Sequence, residues 1–296
     1  RMENETTLME YMEKGLEVVK EAGFHVMEAF HKGRDGMDVG RRGRETELVT
    51  ELDKKVEELM KNKLEFHFPT HEVIGEEAVS AKESMKVDYD ETTPTWILDP
   101  MDGSTNFVHR LSLVSICLAL VQHGKILLGI VYNPITGDLY TAREGRGAYK
   151  NGFRMKTSHQ ASINAALVMG SGGRHVLGSV EKKKVNQIYA HNLKETWKAG
   201  VVGVRWLGNA SLSICAVAEG AADFFLAYGL YCWNMGAAVL ILREAGGAVG
   251  DPAGADFQLM GRRIAAAASP ALLKAASALP FRHIAFPPQT QSEPPA

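Results

Sequence analysis

Acidic residues close two apolar runs in the first half of the chain, and their placement is the feature most able to support chemistry. Glu72-Val73-Ile74-Gly75 reads as a short strand running into Glu76-Glu77, and Thr95-Trp96-Ile97-Leu98 as a strand running into Asp99-Pro100-Met101-Asp102-Gly103-Ser104-Thr105-Asn106. Side chains three apart on a regular strand point to opposite faces, whereas a turn stiffened by proline can bring two carboxylates to one point. Converging carboxylates repel, so such a cluster is tolerable when a cation lies among them. An all-oxygen set selects a hard ion such as Mg²⁺, which keeps waters and accepts phosphate oxygens. Directly afterwards Gly103-Ser104-Thr105 offers backbone N–H groups and two hydroxyls. A helical turn starting there would aim its positive end at the same spot. The competing reading is a plain turn, since Asp, Pro and Gly all favour turns.

The elements that must position these residues follow from periodicity. Leu8, Met12, Leu16, Val19, Phe24, Met27 and Phe30 recur every three or four positions and predict an amphipathic helix. Residues 32–45, rich in Gly and Arg and without periodicity, read as a mobile loop. Thr50 can cap a second helix with Asp53 at its third position and Val56, Leu59, Met60 and Leu64 on its buried face. Residues 113–122, 125–132, 137–142 and 148–150 form a strand meander separated by His-Gly, Asn-Pro and Gly-Arg-Gly turns. Beyond about Asn151 strands and helices alternate: strands near 166–169, 201–206, 222–226 and 248–250, helices near 182–193, 211–219 and 235–245. From about Pro280 the proline-punctuated sequence predicts a disordered tail over 281–296.

Composition narrows the function classes. A chain of 296 residues, 45% hydrophobic and 23% charged, can bury a large core as one domain of two lobes, here 5–152 and 153–280. Its 29 glycines and 11 prolines argue for a turn-rich mixed α/β fold. The net charge of −2 supplies no field to hold a nucleic acid. Cys117, Cys215 and Cys232 sit among apolar neighbours with no paired spacing, as buried thiols in a reducing compartment would. The longest apolar stretch, 111–121, is too short to span a membrane, and the N-terminus lacks the order of a secretion signal, so a cytoplasmic protein is expected.

Other motifs carry less. Gly170-Ser171-Gly172-Gly173-Arg174-His175 has His where a dinucleotide loop needs its third glycine. His67 and His71 have metal-like spacing, but Pro69 breaks the helix that would align them, so both read as surface residues. Lys182-Lys183-Lys184 reads as a solvated helix face, and Ser171, Ser211 and Ser213 lack a nucleophile elbow.

Residues 96–109, Trp-Ile-Leu-Asp-Pro-Met-Asp-Gly-Ser-Thr-Asn-Phe-Val-His, closely resemble the first signature of the inositol monophosphatase family. Trp233-Asn234-Met235-Gly236-Ala237-Ala238 through Glu244-Ala245-Gly246-Gly247 resembles the second. Gly75-Glu76-Glu77, residues 48–53 and residues 257–260 are similar to further segments of that family in the same order. The resemblance implies a layered αβαβα sandwich, of the type shared with fructose-1,6-bisphosphatase. It also implies a homodimer that hydrolyses monophosphates of inositol or a related small polyol or sugar with Mg²⁺ and metal-activated water, and that is sensitive to Li⁺. Carried over by position, it implies metal ligands at Glu76, Asp99, the Met101 carbonyl, Asp102 and Asn234. Gly103, Ser104 and Thr105 would hold phosphate, with Asp102 and Asn234 also facing substrate. Asp53, through the Ser104 hydroxyl, would act with Glu76 on the attacking water, and Gly208, Asn209 and Ala210 would line the sugar pocket.

Two departures bear on activity. The second signature normally has aspartate where this chain has Asn234, which predicts a normal first metal and a weak second one. Ala227 stands where inositol-selective members offer a glutamate, which weakens selection of one polyol isomer. The competing expectation is therefore an impaired homologue acting as a phosphate-binding or dimerisation module. Arg41-Arg42-Gly43-Arg44 stands where the family has a lysine-bearing loop near the metals, and a solvated loop is the plainer reading.

Overall fold

The computed structural model describes residues 5–32, 39–42, 47–82, 86–87, 89–170 and 182–290. Helix α1 (Glu5–Lys32) buries Gly15, Val18, Val19, Ala22, Gly23, Val26 and Phe30. Phe24, expected on that face, is 56% exposed instead. The buried stripe is displaced towards small residues because Gly15 and Gly23 let the helix lie close against Ile130 and Tyr132.

Strands β1 (Val39–Arg42) and β2 (Glu47–Thr50) pair antiparallel, from Val39 with Thr50 to Arg42 with Glu47. This corrects the expectation of a mobile loop over 32–45: residues 39–42 pair along their backbone with 47–50 although the sequence shows no alternation. Gly43 and Arg44 lie outside the described residues. Helix α2 (Glu51–His67) follows at once, with Asp53 and Glu57 among its buried residues.

Strand β3 (Glu72–Gly75) runs directly into the five-residue helix α3 (Glu76–Ser80), and β4 (Thr95–Asp102) runs through Gly103 into α4 (Ser104–Val108). The meander comprises β5 (Ser115–Gln122), β6 (Lys125–Asn133), β7 (Asp138–Arg143), β8 (Ala148–Lys150) and β9 (Phe153–Arg154). Together β3 to β9 form a seven-stranded sheet in sequence order, parallel at β3–β4 and antiparallel elsewhere.

The second half contributes β10 (Leu167–Gly170), α5 (Lys182–Lys198), β11 (Gly203–Arg205), α6 (Ala210–Ala218), β12 (Phe224–Tyr228), α7 (Cys232–Glu244), β13 (Ala248–Gly250), β14 (Arg263–Ala267) and α8 (Pro270–Ser277). Its sheet has the order β11-β10-β12-β14-β13. Residues 171–175 and the side chains of Lys182, Lys183 and Lys184 lie outside the described residues.

The two faces of β5 fall in different cores, which fixes the layering. Ile116, Leu118 and Leu120 pack with α1 and α2, whereas Cys117, Ala119 and Val121 pack with α6 and α7. Helices α6 and α7 thus lie between the sheets, and α8 packs on the far side against β13 and β14. Helices, sheet, helices, sheet and helix give the αβαβα arrangement. Cys117, Cys215 and Cys232 are free and buried.

Residues 281–290 correct the expectation of disorder. Phe281 and Gln289 are buried, and Arg282 N donates to Asn192 Oδ1 at 2.7 Å. Side chains far away in sequence supply the partners that the stretch lacks locally. Among the described residues no helix is long and apolar enough to cross a membrane.

Candidate active site

The convergence of Asp99 and Asp102 rests on a bulge. Asp99 stands opposite Cys117 and Asp102 opposite Ser115, so three steps along β4 match two along β5. The extra residue cancels the alternation that would send the two side chains to opposite faces. Gly103 makes the exit possible: its φ is 90°, and a Cβ there would lie 2.7 Å from the Leu113 carbonyl. Helix α4 starts at Ser104, so its first amides sit beside the two carboxylates.

Each carboxylate is partly engaged. Asp99, fully buried, accepts from Met101 N at Oδ1 (3.0 Å) and from Asn234 Nδ2 at Oδ2 (2.9 Å). Burial, then the charges of Glu76 and Asp102, hold its carboxyl well above the ordinary carboxylate range. Asp102 accepts from Ser211 N at Oδ2 (2.9 Å). Burial pushes its carboxyl up to about 6, although backbone N–H groups of Ser211, Ala210 and Gly103 stabilise the charged form. Glu76 opens α3, with its charge felt at Asp99. Repulsion among buried carboxylates is the condition that a cation relieves.

Among the described residues no three Asp, Glu, His or Cys side chains stand ready-made around one point as ion ligands. The donor chemistry nevertheless fits one hard cation: the charges of Glu76 and Asp102 raise the proton affinity of Asp99, and the Met101 carbonyl lies between the two aspartates, with oxygen donors throughout. At Asn234 the fit fails. Its Oδ1 accepts from Tyr231 N at 3.0 Å, so the amide NH₂ is the end turned to Asp99. The expected metal ligand thus presents a hydrogen-bond donor where an ion needs an oxygen.

Other expected residues divide similarly. Asp53, 3% exposed in the first turn of α2, has its Oδ2 3.5 Å from the Ser104 hydroxyl, which donates at a shorter 3.0 Å to the Met101 carbonyl. Thr105 lies half-buried on α4 and Gly208 exposed at the rim. Ala210 opens α6 and is buried. Asn209 is committed to structure: Nδ2 donates to the Asp102 carbonyl and Ser115 Oγ (both 2.8 Å), and Oδ1 accepts from Leu212 N and Ser211 Oγ. It holds the β4 exit against α6. Ala227 is fully buried on β12. His71 stacks on Phe68 at 5.1 Å and is half-buried, not a surface residue.

Sequence reasoning missed the supporting roles of four residues. Glu57, 5% exposed on α2, accepts from Glu77 N and Ala78 N, both at 2.7 Å, and so caps the helix that Glu76 opens. Gly75 is required beside it, because a Cβ would land on the Glu57 carboxylate. Asn106 Nδ2 donates to the Leu113 and Leu207 carbonyls, tying α4 to the loop before Gly208. Gln289 reaches the start of α7 from the C-terminal stretch. Gly75 at the N-cap of α3 has no side chain to offer, which hints at a cap from elsewhere; the others leave no local signal.

A two-sheet α/β sandwich with acids gathered at the end of one central strand, beside a short helix N-terminus, defines a site suited to handling a phosphate ester with a metal ion. The inositol monophosphatase family model matches residues 8–282, and this chain belongs to that family, a family of phosphoric monoester hydrolases that depend on metal. Inositol monophosphatase 1 of Pongo abelii is 37% identical over 259 residues, covering 87% of this chain and 89% of that protein. The extragenic suppressor protein suhB of Bartonella henselae superposes with a TM-score of 0.78 at 26% identity, covering 90% of this chain and 96% of that one. An IMPase of Thermotoga maritima shares the fold with a TM-score of 0.75 at 24% identity, covering 90% and 96% of the two chains.

Proposed function

We propose that this chain hydrolyses inositol monophosphate or a related small polyol or sugar phosphate, with Mg²⁺ as cofactor and water as the attacking group. The observation that carries the reading is the bulge that turns Asp99 and Asp102 to one side, within reach of the Glu76 charge. Glu76, Asp99, Asp102 and the Met101 carbonyl would hold the ion. When bound, Mg²⁺ supplies charge neutralisation and lowers the pKa of a coordinated water. The residues themselves position the reactants. Backbone N–H groups at Gly103, Ser104 and Thr105 would receive phosphate oxygens, and Glu76 together with Asp53, acting through the Ser104 hydroxyl, would orient and activate the attacking water. Gly208 and Ala210 would border the polyol, with Asn209 fixing their approach to the Asp102 carbonyl. Such placement is what phosphoryl transfer chiefly needs, since no covalent nucleophile is required.

A homodimer is part of the proposal. Edge strand β11 is flanked by Val202 at 72% and Trp206 at 57% exposure, apolar surface that a second copy would cover. Light scattering at micromolar concentration tests it: twice the chain mass is expected, and a monomer would overturn it.

A second reading, an impaired homologue that binds phosphate without turnover, draws on the Asn234 amide facing Asp99 and on the apolar Ala227. Release of inorganic phosphate from inositol 1-phosphate separates the two. Turnover at millimolar Mg²⁺, abolished by chelation, supports the hydrolase. No release under those conditions leaves the binding module.

A further inference from the structure

The stretch whose composition argues against order contains one of the most buried polar side chains among the described residues. Gln289 is 2% exposed. Its backbone N–H donates to the Met260 carbonyl at 3.1 Å and its carbonyl accepts from Val87 N at 2.7 Å. Its side-chain Oε1 accepts from Cys232 N at 2.7 Å. Val87 lies beyond α3, the helix that Glu76 opens, and Cys232 opens α7, which carries Asn234. One residue therefore joins three segments far apart in sequence, the stretch after α3, the residues before β14 and the start of α7.

The preceding residues hold Gln289 in place. Asn192 and Arg282 exchange hydrogen bonds of 2.8 and 2.7 Å, and the Arg262 guanidinium lies 4.2 Å from the Tyr231 ring and 5.0 Å from that of Phe286. The amides of a helix's first turn have no partner within the helix, so a buried one depends on an outside acceptor. For Cys232 N–H that acceptor is Gln289. Two residues on, Asn234 places its NH₂ on Asp99 Oδ2.

We propose that Gln289 is a positioning residue: through the Cys232 N–H it fixes the first turn of α7, and with it the approach of Asn234 to Asp99. Its consequence for turnover rests on the hydrolase reading above. Its consequence for the helix does not.

The test uses the full chain with Gln289→Leu, which keeps volume but removes the acceptor, and Gln289→Glu, which keeps an acceptor oxygen. Hydrogen exchange over residues 230–238 and steady-state kinetics with inositol 1-phosphate are measured for both. The leucine variant is expected to exchange roughly tenfold faster there, the factor that about 1.4 kcal/mol produces, and to lose kcat by a similar factor with KM unchanged. The glutamate variant is expected to restore both to within about twofold. Unchanged exchange in the leucine variant, or a glutamate variant that fails equally, overturns the proposal. If the leucine variant does not fold, Gln289→Ser is read by the same criteria. Should even the unaltered chain release no phosphate, the hydrolase reading fails, while exchange still decides the role of Gln289.

Discussion

The two walls of the cleft treat negative charge in opposite ways. The wall made by β4 and α3 gathers Asp99, Asp102 and Glu76, and burial with mutual repulsion raises the proton affinity of Asp99. The α7 wall answers with a neutral amide, Asn234, whose NH₂ bonds Asp99 while its oxygen is taken by Tyr231 N. On the first wall, carboxylates repel, the condition that a cation relieves; on the second, the Asn234 amide has both of its ends in hydrogen bonds. An ion bound by the first and a hydrogen bond from the second would thus be two solutions to the same electrostatic problem, set side by side.

The largest expected effect comes from weakening the charged wall. Asp99→Asn removes a central carboxylate and is expected to lower phosphate release from inositol 1-phosphate by about three decades or more, in line with an ion supplying several kcal/mol to the reaction. Retained turnover would mean that the ion is held elsewhere.

Next is Asn234→Asp, which makes the walls alike. A carboxylate would then face Asp99 across the 2.9 Å now spanned by a hydrogen bond. Two charges 4 Å apart at an effective dielectric of 20 repel by about 4 kcal/mol, a ceiling that proton uptake reduces. The metal-free variant is expected to melt lower, and Mg²⁺ to raise its melting temperature more than that of the parent chain. Mg²⁺ activation should move to lower concentration. Equal melting shifts and equal activation curves would show that Asn234 does not set the demand for metal.

A smaller loss is expected from Glu57→Gln, which retains one acceptor for the two amides at the start of α3 and loses the charge. A charge-assisted hydrogen bond contributes about 1.5–3 kcal/mol, so kcat is expected to fall roughly ten- to a hundredfold through displaced Glu76, with the fold intact by circular dichroism. An unaltered kcat would detach Glu57 from the site.

The pH dependence of stability should give the smallest net effect. Asp102 is raised to about 6 and Asp99 is raised as well. Between the ordinary carboxylate value and about 6 the folded chain holds protons that the unfolded chain has released, so this contribution to stability is lost as pH rises. Burial lowers His71, whose contribution has the opposite sign and is lost as pH falls below its ordinary value near 6.5. Because Asp99 and Asp102 are the more completely buried, the metal-free melting temperature is expected to fall modestly from pH 5 to pH 7, and added Mg²⁺ to flatten the trend. A rise with pH in the metal-free chain would contradict the charge clustering.

What could be read from the sequence follows the range of the interactions. The strand-then-acid pattern at Ile97-Leu98-Asp99 is local and was legible, as was the meander, whose turns are marked by glycine, asparagine and proline. The bulge was not, because it exists only in the register of Asp99 and Asp102 against Cys117 and Ser115. Glu57 looks like any acid on a polar helix until Gly75 brings the α3 amides onto it. Gln289 lies in a stretch too poor in apolar residues to predict order, and its partners Val87, Cys232 and Met260 are scattered along the chain. The pairing of 39–42 with 47–50 was hidden for a related reason: backbone pairing needs no side-chain alternation. Asn234 was recognised as a departure, but the direction of its amide depends on Tyr231 and could be learned only from the fold.

The central claim is that Glu76, Asp99 and Asp102 gather because a divalent ion lies among them, and anomalous diffraction from crystals soaked in Mn²⁺ tests it most directly. The account predicts a strong peak within bonding distance of Asp99 and Glu76, with a weaker one or none beside Asn234. A cleft without any peak between those carboxylates, at Mn²⁺ concentrations that support turnover, would contradict it.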